Sequence, residues 1–189
     1  MLRAFLAIDP PPSLHPYLKQ VLDHLQASNA DVRWVPVGNI HLTLKFFGQI
    51  SEDLIPTLTQ AITPLAAAQT PFTLHLTTPG AFPTLKNPRV VWLGVSGDLK
   101  PLTHLVRQLE AAFLQLGFPP EDRPFAPHLT LGRLRSPKGR QELCRRLTLL
   151  PALDCPPFLV QNIVLFQSLL SPKGATYVPL KIIPLGQQL

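Results

Sequence analysis

The chain has 189 residues, 46% of them hydrophobic and 15% charged. That length and balance suit one large domain or two small lobes around a core, and they exclude an intrinsically disordered chain. The net charge of +6 is unevenly placed: "RLRSPKGRQELCRR" at 133–146 holds six basic residues and one acidic one, which suits an anionic partner such as RNA or, with equal weight, a solvated helix face.

In chain order, "LRAFLAID" (2–9) reads as a strand, too short and too soon followed by prolines for a signal peptide. Leu14, Tyr17, Leu18, Val21, Leu22 and Leu25 then fall at helical spacing. "NIHLTLKFFG" (39–48) is strand-like, with Gly48 as its close. "SEDLIPTLTQAITPLAAA" (51–68) predicts a helix capped by Ser51 and kinked or broken by its prolines. "PFTLHLTTPGAF" (71–82) alternates as a strand. The second half repeats this order. "RVVWLGV" (89–95) is a strand, Leu102, Leu105, Val106, Leu109, Phe113 and Leu116 form a helical stripe after Asp98 as cap, and "APHLTLGRL" (126–134) is a strand. A helix at about 138–149 and strands at 157–170 and 175–183 complete the chain. No apolar run approaches the roughly 20 residues of a membrane span, so the expectation is a soluble, cytoplasmic protein. Cys144 and Cys155 form no CxxC pair, which argues against a disulfide framework and a zinc knuckle.

Each half thus reads β-α-β-α-β, with one extra strand at the end. His-Leu-Thr-Leu stands at 41–44 and again at 128–131, on the second strand of each half, as in a tandem duplication. In a strand, His41 and Thr43 point one way and Leu42 and Leu44 the other. His128 and Thr130 oppose Leu129 and Leu131 in the same manner. If the leucines face the core, each His–Thr pair stands on the opposite face, about 7 Å apart along the strand.

Two such strands about a pseudo-twofold axis would place two histidines and two threonines around one cleft. That suits phosphoryl chemistry: one neutral imidazole takes a proton from water, and the other, as imidazolium, protonates a leaving oxygen. The threonine hydroxyls can bond the non-bridging oxygens. No metal and no cofactor are needed, and the symmetric motif does not say which histidine is acid and which is base. A single HLTL would be an ordinary amphipathic strand, and His75 in "HLTT" is read as an ordinary strand histidine. His15, His24 and His104 lie on predicted helices without metal-ligand spacing. There is no GxxxxGK[ST], no HExxH and no GxSxG.

The segments "RWVPVGNIHLTLKFFGQI" (33–50) and "PFAPHLTLGRLR" (124–135) resemble the two signatures of the two-histidine (2H) phosphoesterase superfamily, most closely its LigT-like bacterial branch of RNA 2′,3′-cyclic phosphodiesterases, also called 2′-5′ RNA ligases. "LRAFLAIDPP", "PRVVWLGV" and "VLFQSLLSPKGATYVPL" resemble family blocks too, so the likeness spans the chain. It implies an α+β fold of two lobes in one domain over 1–189, with two antiparallel sheets facing each other across a central cleft and helices outside. The lobe-forming halves would be roughly 1–88 and 89–189. It implies metal-independent hydrolysis of a terminal 2′,3′-cyclic phosphate to a 2′-phosphate, and in many members 2′-5′ joining of RNA ends. By resemblance, His128 is the general base, His41 the general acid, and Thr43 and Thr130 hold the phosphate.

Strict alternation from His41 brings Lys45 and Phe47 to the same face, as phosphate and base contacts, although core packing is the stronger reading for Phe47. Arg133 would fall on the leucine face and reach the cleft only through a bulge; Arg135, Lys138 and Arg140 extend the RNA contacts. The expected partner is an RNA end bearing a 2′,3′-cyclic phosphate, with no membrane and no obligate protein partner, the protein being a monomer. Two other readings stand beside this: a phosphodiesterase for small cyclic nucleotides, and a non-catalytic RNA-binding module.

Overall fold

The structure, a computed structural model, describes residues 1–150, 154–171 and 174–186. Pro172 and Lys173, inside the last family-like block, lie outside the described residues. Strands β1 (Leu2–Ile8), β2 (Val32–Trp34), β3 (Leu42–Ile50), β4 (Phe72–Thr84), β5 (Asn87–Gly97), β6 (His128–Leu134), β7 (Phe158–Val160), β8 (Asn162–Ser171) and β9 (Gly174–Pro184) alternate with helices α1 (His15–Gln26), α2 (Leu54–Ala68), α3 (Leu99–Gln115) and α4 (Arg140–Leu149). Every pairing is antiparallel. The strand order is β7-β4-β5-β6-β3-β1-β8-β9, with β2 alongside β6.

The nine strands run as one continuous sheet that narrows to a seam and divides there into the two lobe sheets. β7-β4-β5-β6 forms one and β3-β1-β8-β9 the other, and they touch at one ladder position, Leu42 opposite Leu129. This is the two-lobed α+β architecture that the sequence implies. The sheets interleave the sequence halves. β4, from before residue 88, pairs with β5 and β7, while β8 and β9 return to β1.

The helices form where apolar residues recur every three or four positions. Leu18, Val21, Leu22 and Leu25 of α1, and Leu102, Leu105, Val106, Leu109 and Phe113 of α3, are buried. Each such side chain contributes about 1.5–3 kcal/mol by leaving water. α1 packs on α4 and α2 on α3, and together they join the core on the leucine face of the sheet. Among the described residues, a second and smaller apolar cluster on the other face joins Phe5, Ala7, Val164 and Phe166, against Tyr177.

Four local expectations change. The strand read at 157–170 is two, β7 and β8, which break at Gln161 and pair with β4 and with β1. α2 runs as one helical element through Pro64, and its N-cap is Asp53 rather than Ser51. Thr59 and Thr63 donate their hydroxyls back to the carbonyls of Ile55 and Thr59, which satisfies acceptors within the helix. Gly48 does not close β3, which continues to Ile50; Gly48 takes a left-handed φ of 74° instead, open to glycine at no steric cost. Asp98 does stand at the start of α3, but its carboxylate accepts from the Thr73 amide on β4 rather than from the helix.

Candidate active site

Leu42 and Leu129 are both buried, so the residues flanking them turn to the open face. In an antiparallel register centred on that pair, His41 comes toward Thr130 and Thr43 toward His128. The four polar motif residues therefore gather on the open side of the seam between the two sheets.

The strict alternation expected after each threonine fails, and it fails identically in both copies. In β3, Ala7 pairs with Thr43 and the next residue, Leu6, with Lys45, so Leu44 is extruded from the ladder. In β6, Trp92 pairs with Thr130 and Val91 with Gly132, so Leu131 is extruded. A bulge at the second leucine of each motif reverses the face of everything that follows.

Lys45 and Phe47 consequently enter the core instead of the cleft. Lys45 is 4% exposed. Its ammonium donates to Glu110 at 3.1 Å and to the Pro119 carbonyl at 2.6 Å. Phe47 meets the rings of Phe113 and Phe118 edge-on. Phe46, opposite Phe5, takes the cleft position and is 42% exposed, with the Arg3 guanidinium 4.7 Å above its ring. In the second copy the bulge turns Arg133 and Arg135 into the cleft, meeting the condition set for Arg133.

The cleft has a volume of about 820 Å³, and His41, Thr43, Thr130, Phe46 and Tyr177 stand in its wall. His128 stands outside that wall, half-buried at the start of β6 two residues before Thr130, with Phe82 edge-on at 5.1 Å and Trp92 at 6.2 Å. Phe5 stacks on His41 at 4.7 Å, and Tyr177 meets it edge-on at 5.1 Å. A smaller cavity of about 230 Å³ shares His41, Asn39 and Tyr177 and adds Asp9. Burial pushes the Asp9 carboxyl up, against the opposing pull of His15.

Both imidazoles are tethered in the same way. Nδ1 of His41 lies 2.8 Å from the Asn39 carbonyl, and Nδ1 of His128 lies 2.6 Å from the Ala126 carbonyl. A carbonyl only accepts, so each Nδ1 carries a proton and each Nε2 is left to exchange one. Asn39 is itself fixed, its amide donating to the Ala175 carbonyl at 2.7 Å. Burial holds the His41 imidazole below the ordinary histidine value, while its bond to Asn39 pulls the other way.

The cleft is strongly cationic. Arg3, Arg33, Arg133 and Arg135 line it, and among the described residues none of them is in an ion pair. Burial pushes the Tyr177 phenol up, and the charges of Arg133, Arg3 and Arg33, which line the same cleft, pull it down. The other basic-tract residues serve elsewhere. Arg140 donates to Asn87 across the β4–β5 turn, Lys138 is exposed outside the cleft wall, and Arg145 and Arg146 clasp Glu142 on α4. His75 lies on β4 opposite Ser96, off the cleft. Sequence reasoning missed Phe46, Arg3, Arg33, Asn39 and Tyr177. Asn39 alone had a signal, since it stands two residues before a motif histidine as Ala126 does. Among the described residues no three His, Cys, Asp or Glu side chains gather within reach of one metal ion, and no helix is long and apolar enough to cross a membrane.

The profile of the 2′-5′ RNA ligase superfamily matches residues 10–170. A Methanothermobacter thermautotrophicus protein named RNA 2′,3′-cyclic phosphodiesterase is 33% identical over 180 residues, 95% of this chain and 97% of its own length. One of the same name from Archaeoglobus fulgidus is 30% identical over 181 residues, 96% and 99% of the two chains. Among solved structures, TT0787 of Thermus thermophilus superposes with a TM-score of 0.79 at 27% identity over 100% of both chains. Escherichia coli LigT complexed with 3′-AMP superposes with a TM-score of 0.73 at 28% identity, covering 98% of this chain and 99% of its own.

Proposed function

The chain belongs to the 2′-5′ RNA ligase superfamily, and from that premise we propose that it hydrolyses the 2′,3′-cyclic phosphate at an RNA end to a 2′-phosphate by paired histidine acid–base catalysis. RNA 2′,3′-cyclic phosphodiesterase is the name its full-length relatives carry. The observation that carries the mechanism is the doubled tether: two imidazoles, each held through Nδ1 by the carbonyl two residues before it, on either side of one seam.

In the proposed reaction, Nε2 of His128 takes a proton from water as its oxygen attacks phosphorus. The bond from phosphorus to the ribose 3′ oxygen breaks, and Nε2 of His41, as imidazolium, protonates that oxygen. Thr43 and Thr130 donate to the non-bridging oxygens as charge builds on them. Burial favours the neutral form of His41 before substrate arrives. A bound phosphate anion favours its charged form, so the substrate itself recruits the proton that its leaving group needs. With an RNA 5′ hydroxyl in place of water as the attacking group, the same groups join ends through a 2′-5′ bond as the bond from phosphorus to the 3′ oxygen breaks. As proposed, the chemistry calls on no metal, cofactor or second protein, and proceeds where RNA ends are found, in the cytoplasm.

The test is to incubate the pure protein, with EDTA, with an RNA oligomer ending in 2′,3′-cyclic phosphate and to identify the product. A 2′-phosphate is expected from the wild type. His41→Ala and His128→Ala are each expected to lose turnover while keeping the wild-type circular dichroism. Turnover only with added metal, or retained in either variant, would overturn the mechanism. Tight RNA binding without product would leave a binding module.

A further inference from the structure

The ladder of β8 and β9 runs past the strand that supports it. β1 pairs with β8 only as far as Gln167, opposite Ala4. β8 and β9 stay paired for four more positions, from Ser168 opposite Tyr177 to Ser171 opposite Gly174. Among the described residues, this end is a two-stranded arm with no third strand beside it. A two-stranded ribbon alone is at best marginally stable in water. The arm nonetheless forms part of the cleft wall, through Ser168, Leu170, Ala175 and Tyr177 among others, so something must hold it in place. Tyr177 does so by packing edge-on against Phe5 and His41. The polar tie is Asn39. Its amide donates to the Ala175 carbonyl at 2.7 Å. Among the described residues this is the one side-chain hydrogen bond from the arm to the body, since the Ser171 hydroxyl bonds within the arm itself.

Asn39 thus grips the arm with its side chain and the His41 imidazole with its backbone carbonyl. The second motif has no counterpart. The carbonyl that tethers His128 belongs to Ala126, whose methyl group can donate nothing. The two histidines are tethered alike, and one tether is latched. We propose that Asn39 is a positioning residue that latches the β8–β9 arm to His41, so that arm and imidazole hold their places together while His128 is set independently. The Nδ1–H form that the Asn39 carbonyl selects is also the form left after Nε2 has given up its proton. A ring that slips this carbonyl returns toward the Nε2–H tautomer, the commoner one of free neutral histidine. RNA lying against the arm is therefore felt at His41 alone. The kinetic consequence rests on the phosphodiesterase reading, in which His41 protonates the leaving oxygen; the latch itself does not.

The experiment compares wild type with Asn39→Ala by NMR of 15N-labelled imidazoles at alkaline pH, where both rings are neutral. In the wild type His41 and His128 both carry the proton on Nδ1. In the variant His41 moves toward the Nε2–H tautomer and His128 does not, which also serves as the control for folding. Amide hydrogen exchange at Ala175, Thr176 and Tyr177 quickens by about threefold to tenfold, the effect of losing one neutral hydrogen bond. Asn39→Asp, which keeps the shape and removes the donor, quickens it at least as much. On an RNA ending in 2′,3′-cyclic phosphate, kcat of Asn39→Ala falls by about threefold to tenfold with KM little changed, since the groups that bind substrate are untouched. A merely structural defect would disturb both histidines together. An unchanged His41 tautomer, or unchanged exchange in the arm, would overturn the latch. Neither readout needs turnover, so a wild type inactive on cyclic-phosphate RNA would overturn the phosphodiesterase reading and leave the latch to be decided by the spectra.

Discussion

Lys45 is the residue on which strict alternation and the observed bulge disagree most sharply. Its ammonium lies in the core, donating to Pro119 at 2.6 Å and Glu110 at 3.1 Å. Hydrogen bonds from a charged group are worth about 1.5–3 kcal/mol each. Glu110 keeps 24% of its side chain in water, so solvent recovers part of what Lys45→Ala removes. The net loss is about 3 kcal/mol, which lowers Tm by roughly 6–12 °C in a domain of this size. Lys45→Met keeps the apolar stem and is expected to cost less, because it leaves a smaller cavity than alanine does. Thermal and urea denaturation measure both variants. The salt dependence of binding to a 2′-phosphate RNA is measured alongside. A cleft lysine would contribute about 0.7 to the slope of log K against log salt on a single strand. A Lys45→Ala variant with unchanged stability and a slope reduced by that amount would refute the buried placement and the bulge that causes it.

Arg135→Ala should behave in the opposite way, with stability within about 0.5 kcal/mol of wild type and the RNA salt slope reduced by about 0.7; denaturation and fluorescence anisotropy across a salt series check it. Gly132→Ala would set a Cβ 2.6 Å from Val32 and 2.9 Å from Trp34, displacing β2; a loss of about 1–3 kcal/mol is expected from denaturation. Because burial lowers the His41 pKa, the unfolded chain binds more protons between that depressed value and about 6.5. Stability therefore falls as pH drops through that window, and His41→Asn should remove this component of the slope in pH-resolved urea titrations. With two histidines in opposite protonation states, kcat/KM should follow a bell-shaped pH profile, and a flat one between pH 5 and 9 would count against the pair.

The elements whose apolar period is long were legible. α1 and α3 follow their stripes, and β4 its alternation, because burial on one face writes a repeat into the residues themselves. The paired motifs were legible for a different reason: identical polar residues on two apolar strands have no packing explanation. What escaped was set by pairing rather than by composition. Nothing in the residues of "HLTLKFFG" announces that Leu44 leaves the ladder, since the bulge is imposed by how β1 lies beside β3; one extruded residue exchanged Lys45 for Phe46 as the cleft side chain. "VRW" is too short to carry a period, and it becomes β2 only because β6 offers it an edge. The return of β8 and β9 to β1 joins residues far apart in sequence, and no local pattern records such a pairing.

The seam at Leu42 and Leu129 has a mechanical consequence. It acts as a fulcrum for the two sheets. In any opening of one sheet against the other, displacement grows with distance from the axis, so the motif residues beside it move least. The guanidiniums of Arg133, farther along β6, and of Arg33, opposite it on β2, would swing through a longer arc. Such an arrangement lets the mouth of the cleft widen around RNA ends of different bulk while the spacing between the two imidazoles stays nearly fixed, so accommodation and chemistry are assigned to opposite ends of the same lever.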